Sequence, residues 1–174
     1  PLAGITGSSG KTTTTALVGE MFRCDGRPHF VGGNIGVGLL SHLATLTPDT
    51  WVVLEVSHTQ LQLLPERSPN VACLLNITPN HLDRFSWDEY RRLKGAILRY
   101  QKAEDCAILC YDDAETRALA DVLVTSQMRY RGFAGNIRER TAPISVDAKA
   151  MQALLALPEV KAWRDAGGIL MSGS

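Results

Sequence analysis

The chain has 174 residues with 18 basic and 18 acidic side chains, a balance that argues against a nucleic-acid or anionic-membrane partner. Its apolar runs, such as Trp51 to Leu54 and Ala72 to Leu75, are strand-sized and too short to span a bilayer, while the length suits one domain, 1–174, with a sizeable core. The four cysteines form no C-x-x-C pair, and two lie in apolar runs where a buried free thiol is expected, which fits a reducing cytoplasm; no leader segment is visible, although the chain opens at Pro1.

The first predicted element is a strand over Leu2 to Thr6, followed by G-S-S-G-K-T-T and a helix over Lys11 to Arg23. A glycine-rich turn ending in Gly-Lys-Thr between strand and helix is a phosphate-binding arrangement. Gly7 and Gly10 let backbone N–H groups turn inward, Lys11 reaches outer phosphates, and the Thr12 hydroxyl is placed to ligate Mg²⁺. The match is to a variant with glycines at 4, 7 and 10, since Ile5 stands where the common form has glycine. A Gly-Ser turn before a helix started by Thr12 and Thr13 would share part of the pattern. It would not need the lysine.

A second strand, His29 to Val31, runs into Gly32-Gly33-Asn34-Ile35-Gly36, either a turn near a ligand or a plain loop, and a helix is expected over Val37 to Leu46. The third strand, Trp51 to Val56, carries Glu55 at its carboxyl end. There an acid is either a solvated strand terminus or, beside a phosphate loop, a holder of Mg²⁺. The fourth, Val71 to Ile77, opens into a polar segment with Asn76, Thr78, Asn80, His81 and Asp83; a loop histidine is as readily structural as catalytic.

A helix over Ser86 to Gln101 is marked by a Ser86/Glu89 capping box and by apolar Tyr90, Leu93, Ile97 and Tyr100; position alone reads Lys94 as solvent-facing. A strand over Cys106 to Tyr111, a helix over Ala114 to Val124 and a strand over Arg129 to Phe133 complete the alternation. Beyond it, 134–147 show no period, Asp147 to Leu157 looks helical, and Gly167-Gly168 precedes a short apolar run. The alternation predicts a P-loop-type α/β fold, a mostly parallel sheet with helices on both faces in three layers. No N-K-x-D guanine signature occurs, which favours ATP over GTP.

In order and spacing, GITGSSGKTTTTALVGEM, GGNIG, VVLEVSHTQL, LLNITPNHLDR and YRRLKGAI resemble the central ATP-binding domain of the Mur ligases, and within them the branch that adds D-glutamate. The likeness covers about residues 2–125. Departures are Ser9, where the family usually has Asn, and His58-Thr59, where it has Ser-Phe after Ser57. Strand hairpins expected over 134–166 are not evident, and the closing Ser-Gly-Ser resembles the start of an adenine-contacting G-x-H-N segment.

The resemblance implies that Gly7, Ser8, Ser9, Gly10, Lys11, Thr12 and Thr13 cradle ATP, with Lys11 neutralising the transferring phosphoryl group. It further implies that Thr12 and Glu55 hold one Mg²⁺, that His81 and a carbamylated Lys94 support a second, and that Asn34 and Ser57 lie on the substrate side. The implied substrates are UDP-linked muramoyl-alanine and D-glutamate, joined by an ATP-dependent amide-forming ligase whose flanking domains lie outside these residues. Alternatives are a folylpolyglutamate-synthase-like domain, a small P-loop kinase with Arg84, Arg91 and Arg92 as lid residues, and a non-catalytic ATP-binding module.

Overall fold

The computed structural model describes residues 1–63, 66–125 and 129–133. Six strands, β1 (Leu2–Thr6), β2 (His29–Gly33), β3 (Trp51–Glu55), β4 (Val71–Leu74), β5 (Cys106–Cys110) and β6 (Arg129–Phe133), form one sheet in the order β2-β3-β1-β4-β5-β6. Every pairing is parallel. Helices α1 (Lys11–Cys24), α2 (His58–Gln62), α3 (Trp87–Gly95) and α4 (Ala114–Thr125) lie between them.

Right-handed crossovers explain the layering. The connection from β1 to β2 runs one way along the sheet and those from β4 to β5 and β5 to β6 run the other, which places α1 on one face and α3 and α4 on the opposite face. The core records this as two clusters. Val18 and Phe22 of α1 pack with Ala3, Ile5, Val53 and Cys73 on one face. Tyr90, Ile97, Leu98 and Ala120 pack with Ala72, Leu74, Ala107 and Leu109 on the other. Alternation along β4 and β5 sends successive residues to opposite clusters, so these strands are apolar on both sides, as parallel strands between helix layers must be. The expected three-layer α/β architecture is the one found.

Boundaries agree closely for β1, β6, α1 and α4, while Val56, residues 75–77 and Tyr111, expected at strand ends, fall just outside the observed β3, β4 and β5. Two expectations need correction. The segment expected as a helix over Val37 to Leu46 is a 3₁₀ helix, Leu39–Thr45, in which Leu40 is 83% exposed and Leu43 52%. Its leucines are therefore not an anchored helical face, and Gly36 and Gly38 before it with Pro48 after it leave no room for further turns. The helix from Ser86 ends as α-helix at Gly95 and closes with a 3₁₀ turn, Ala96–Leu98, short of Gln101. Ser86 Oγ accepts the Glu89 N–H, the expected serine half of the cap. A complete capping box sits instead at Ser57 and Gln60, starting α2, which the sequence reading missed. The helix expected over Asp147 to Leu157 lies outside the described residues, as do the 134–166 segment and the run after Gly167-Gly168.

Candidate active site

The topology puts its switch point at β1, whose chain leaves toward β2 while β4, its other neighbour, leaves toward β5. A crevice forms at the carboxyl ends of such strands. Three loops meet there. The loop after β1 enters α1 through Gly10, which adopts φ 80° as N-cap, with no side chain capping the helix. Its first-turn N–H groups thus point at the crevice, where the helix dipole favours an anion.

The phosphate loop is stitched to the segment after β4. Ser8 N–H donates to the Asn76 carbonyl (3.0 Å), Ser9 N–H to Asn76 Oδ1 (2.9 Å), and Asn76 Nδ2 returns to the Ser9 carbonyl (3.2 Å). Ser8 Oγ donates to the Thr78 carbonyl and accepts the Thr78 N–H, each at 2.9 Å, and meets the Tyr90 hydroxyl at 3.1 Å. The hydroxyl of Ser8 is thereby committed to shaping the loop. Lys11 Nζ donates to the Ser8 carbonyl at 3.1 Å.

Glu55, 2% exposed, closes β3 beside this loop. Thr12 Oγ1 donates to its Oε2 (2.8 Å) and Asn34 Nδ2 to its Oε1 (2.9 Å). The Asn34 N–H also donates to the Glu55 carbonyl (2.9 Å), and Gly33 approaches so closely that a Cβ there would lie 2.3 Å from that oxygen. Gly33 has φ 109°, so the turn demands glycine on two counts. The sequence placed Asn34 on the substrate side; its amide here also anchors the buried carboxylate.

Lys94 is the largest departure from the positional reading. It is 1% exposed, its Nζ donating to the Gly7 carbonyl at 2.7 Å and to Thr6 Oγ1 at 3.2 Å, beside the Tyr90 ring. Burial, and then the Lys11 charge, lower its pKa to about 7, with Glu55 opposing them. A lysine so held is an uncharged amine for a large part of the time near neutrality. His81 takes φ 56°, its N–H held by Asn80 Oδ1 (2.9 Å) and its carbonyl accepting from Arg84 and Phe85 N–H (each 3.1 Å).

One cleft of about 320 Å³ gathers Ser8, Lys11, Asn34, Ser57, His81, Arg84 and Lys94, with His58, Thr59, Asn80 and Tyr90. Within it Ser57 serves as the N-cap of α2, accepting the Gln60 N–H at 3.2 Å. Gly7, Gly10 and Thr13 belong to the loop and first helical turn; Thr12 and Glu55 face one another at the same edge. Of the arginines suggested as lid residues, Arg84 reaches the cleft, whereas Arg91 is engaged with Glu115 at 2.5 Å. Sequence reasoning singled out His58 only as a departure from the family pattern, and it missed Tyr90. Tyr90 was read only as an apolar helix position, which its burial satisfies; its hydroxyl contact to Ser8, 82 residues away, leaves no local signal. The pKa of His58 is lowered, by burial first and then by the positive neighbours His81, Lys94, Lys11 and Arg84.

Comparisons with known proteins place the chain in a family. A family model described as the Mur ligase middle domain matches residues 5–154. A UDP-N-acetylmuramoylalanine–D-glutamate ligase of Thermoanaerobacter sp. is 43% identical over 120 residues, 68% of this chain and 26% of the relative. A protein of the same name from Desulfitobacterium hafniense is 48% identical over 118 residues, 67% of this chain and 26% of the relative. The chain thus spans about a quarter of the length of these curated relatives. Among solved structures, the MurF ligase of Thermotoga maritima in complex with ADP aligns with TM-score 0.57 and 26% identity, covering 78% of this chain and 33% of that one. E. coli FolC in complex with DHPP and ADP aligns at TM-score 0.51 and 16% identity, over 75% of this chain and 42% of that one, a likeness of fold alone. With the family model running through the phosphate loop, Glu55, His81 and Lys94, the chain belongs to the Mur ligase family, by its middle domain.

Proposed function

We propose that residues 1–174 are the ATP-binding middle domain of a cytoplasmic ligase that joins D-glutamate to UDP-N-acetylmuramoyl-L-alanine in peptidoglycan synthesis. The D-glutamate ligases at 43–48% identity support the choice of substrates. The UDP-binding and C-terminal parts are proposed to lie in flanking domains of the same chain. The observation that carries the reading is the buried Glu55 carboxylate fastened between Thr12 and Asn34, beside a phosphate loop whose Gly7 carbonyl rests on the Lys94 amine.

The residues fit the groups that such a reaction needs. Glu55 and Thr12 form a pair of hard oxygen donors suited to Mg²⁺. Thr12 and Glu55 would hold one ion, and His81 with a carbamylated Lys94 a second. When bound, Mg²⁺ supplies positive charge to the phosphate oxygens. With the Ser8 and Ser9 N–H groups taken by Asn76, the N–H groups from Gly10 to Thr13 cradle the phosphates of ATP, and Lys11, now on the Ser8 carbonyl, swings to the phosphoryl group that transfers. Lys94 is a suitable carbamate because its neutral amine is the form that captures CO₂. Asn34, through Glu55, holds the metal carboxylate still while presenting its turn to the acceptor side.

In the proposed reaction the acceptor carboxylate attacks the γ-phosphate, breaking its bond to the bridging oxygen and giving an acyl phosphate and ADP, and the amine of D-glutamate displaces phosphate to form the amide with loss of a proton. Positive charge collected in the cleft opposes the repulsion of anion by anion. The test is ligation of D-glutamate by the full-length enzyme and its Lys94→Ala variant. Loss of product in the variant, partly restored by short carboxylates, is expected. Near-normal turnover by Lys94→Ala at saturating Mg²⁺ would refute the two-metal site, and failure of the wild type to use D-glutamate would refute the substrate assignment.

A further inference from the structure

We propose that His58 is a positioning residue for His81, its ring forming the surface that keeps the His81 imidazole directed into the cleft. The inference rests on the reading of His81 as a metal-site residue, and it concerns a position where this chain departs from the family pattern.

The backbone of His81 is fixed by polar contacts, but its ring is not. The left-handed conformation is held by Asn80 Oδ1 on the N–H and by the Arg84 and Phe85 N–H groups on the carbonyl. Among the described residues no hydrogen bond reaches the His81 ring, so its two side-chain torsions are set by what it packs against. That neighbour is His58, with ring centroids 4.5 Å apart and planes inclined by 34°. Tyr90 is more distant from His81, at 6.2 Å.

His58 is itself well placed to be a wall. It is the first residue of α2, directly after Ser57, whose complete capping box fixes the entry of the chain. Phe85 meets its ring edge-on at 5.2 Å and 84°, and Tyr90 lies at 5.6 Å. Tyr90 is 1% exposed and pinned through its hydroxyl to Ser8. The series Tyr90, His58, His81 therefore links the buried core to the His81 ring, whose torsions no hydrogen bond among the described residues fixes. A metal-site histidine held at a fixed angle binds without first losing rotamer freedom, which is the usual role of groups that support a ligand from behind.

The experiment uses the full-length ligase and four variants: His58→Ala, His58→Phe, His81→Ala and the double alanine. Calorimetry reads ATP affinity with saturating Mg²⁺ and with a chelator, and kinetics read the Mg²⁺ dependence of kcat. Loss of an aromatic contact predicts that His58→Ala lowers the Mg²⁺-dependent gain in ATP affinity, measured against the same variant in chelator, by about 2- to 10-fold. His58→Phe, which keeps a ring, restores most of that gain. In the His81→Ala background, His58→Ala adds nothing further, because its effect runs through the missing ring. An undiminished effect of His58→Ala in that background, or a His58→Ala protein equal to wild type, would overturn the proposal. A wild-type enzyme without Mg²⁺-dependent ATP binding would instead refute the metal-site reading of His81, separately from the role of His58.

Discussion

Replacing Glu55 by glutamine preserves shape and removes one charge from the centre of the proposed metal site. In the fold, Oε2 accepts from Thr12 at 2.8 Å and Oε1 from Asn34 at 2.9 Å, with the side chain 2% exposed. Asn34 offers only N–H on its side, so the glutamine oxygen must turn toward Asn34 and its amide toward Thr12, whose hydroxyl becomes an acceptor. Two charge-assisted hydrogen bonds, about 1.5–3 kcal/mol each, become neutral ones of about 0.5–1.5 kcal/mol. Relief of a buried charge opposes that loss, so the change in fold stability should stay within about 2 kcal/mol. Binding of Mg-ATP has no such compensation. On the scale of one charge-assisted contact it should weaken by about 1.5–3 kcal/mol, or about 10- to 150-fold. Calorimetry on the full-length protein separates the terms, since ATP affinity in chelator should hold or improve once a carboxylate no longer faces the phosphates. An equal Mg²⁺-dependent gain in wild type and Glu55→Gln, with both proteins folded by urea titration, would refute Glu55 as a metal holder.

Lys11→Ala should weaken ATP binding by about 1.5–3 kcal/mol; equal calorimetric affinities would reject the loop assignment. Gly33→Ala must place a Cβ 2.3 Å from the Glu55 carbonyl at φ 109°, and a loss of about 3 kcal/mol in urea unfolding is expected, whereas a change under about 0.5 kcal/mol would contradict the close approach of Gly33 to the end of β3. Lys94 has its folded pKa lowered from 10.5 to about 7, so between those values the unfolded chain binds more protons than the folded one and stability rises with pH. Lys94→Met should flatten that rise in CO₂-free buffer; identical pH slopes for the two proteins would show that the amine is not held as described. Residues 1–174 alone should form no amide bond, because alignment of acceptor, ATP and amino acid supplies much of such a rate; product from this chain by mass spectrometry would remove the need for flanking domains.

What the sequence made legible was local. The phosphate loop, the strand before it and the helix after it are consecutive, and the apolar alternation of the strands follows directly from burial between two helix layers. Glu55 was readable as a strand-end acid beside that loop. The burial of Lys94 was not, because its partners Thr6 and Gly7 lie 88 and 87 residues away and nothing in Y-R-R-L-K-G distinguishes a core amine from a surface one. Helix α2, at five residues, is shorter than two turns and shows no period. The segment after GGNIG had leucines at helical spacing but no core to bury them, and it settled as 3₁₀. The contact of His58 with His81 joins the start of α2 to the loop after β4, which only the sheet order brings together.

The central place of β1 bears on how the protein is made. A ribosome delivers Leu2–Thr6 and the phosphate loop among the first of these residues, yet the neighbours of that strand are β3 and β4, ending at residues 55 and 74, and the supporting amine arrives at residue 94. Until then β1 has two unpaired edges and apolar side chains on offer, the condition in which nascent chains associate wrongly or are held by chaperones. Nucleotide cannot serve as an early template for folding, because the carboxylate and the stitching asparagine come later than the loop they complete. The site is therefore complete only after residue 94 has been made and the middle of the sheet has closed.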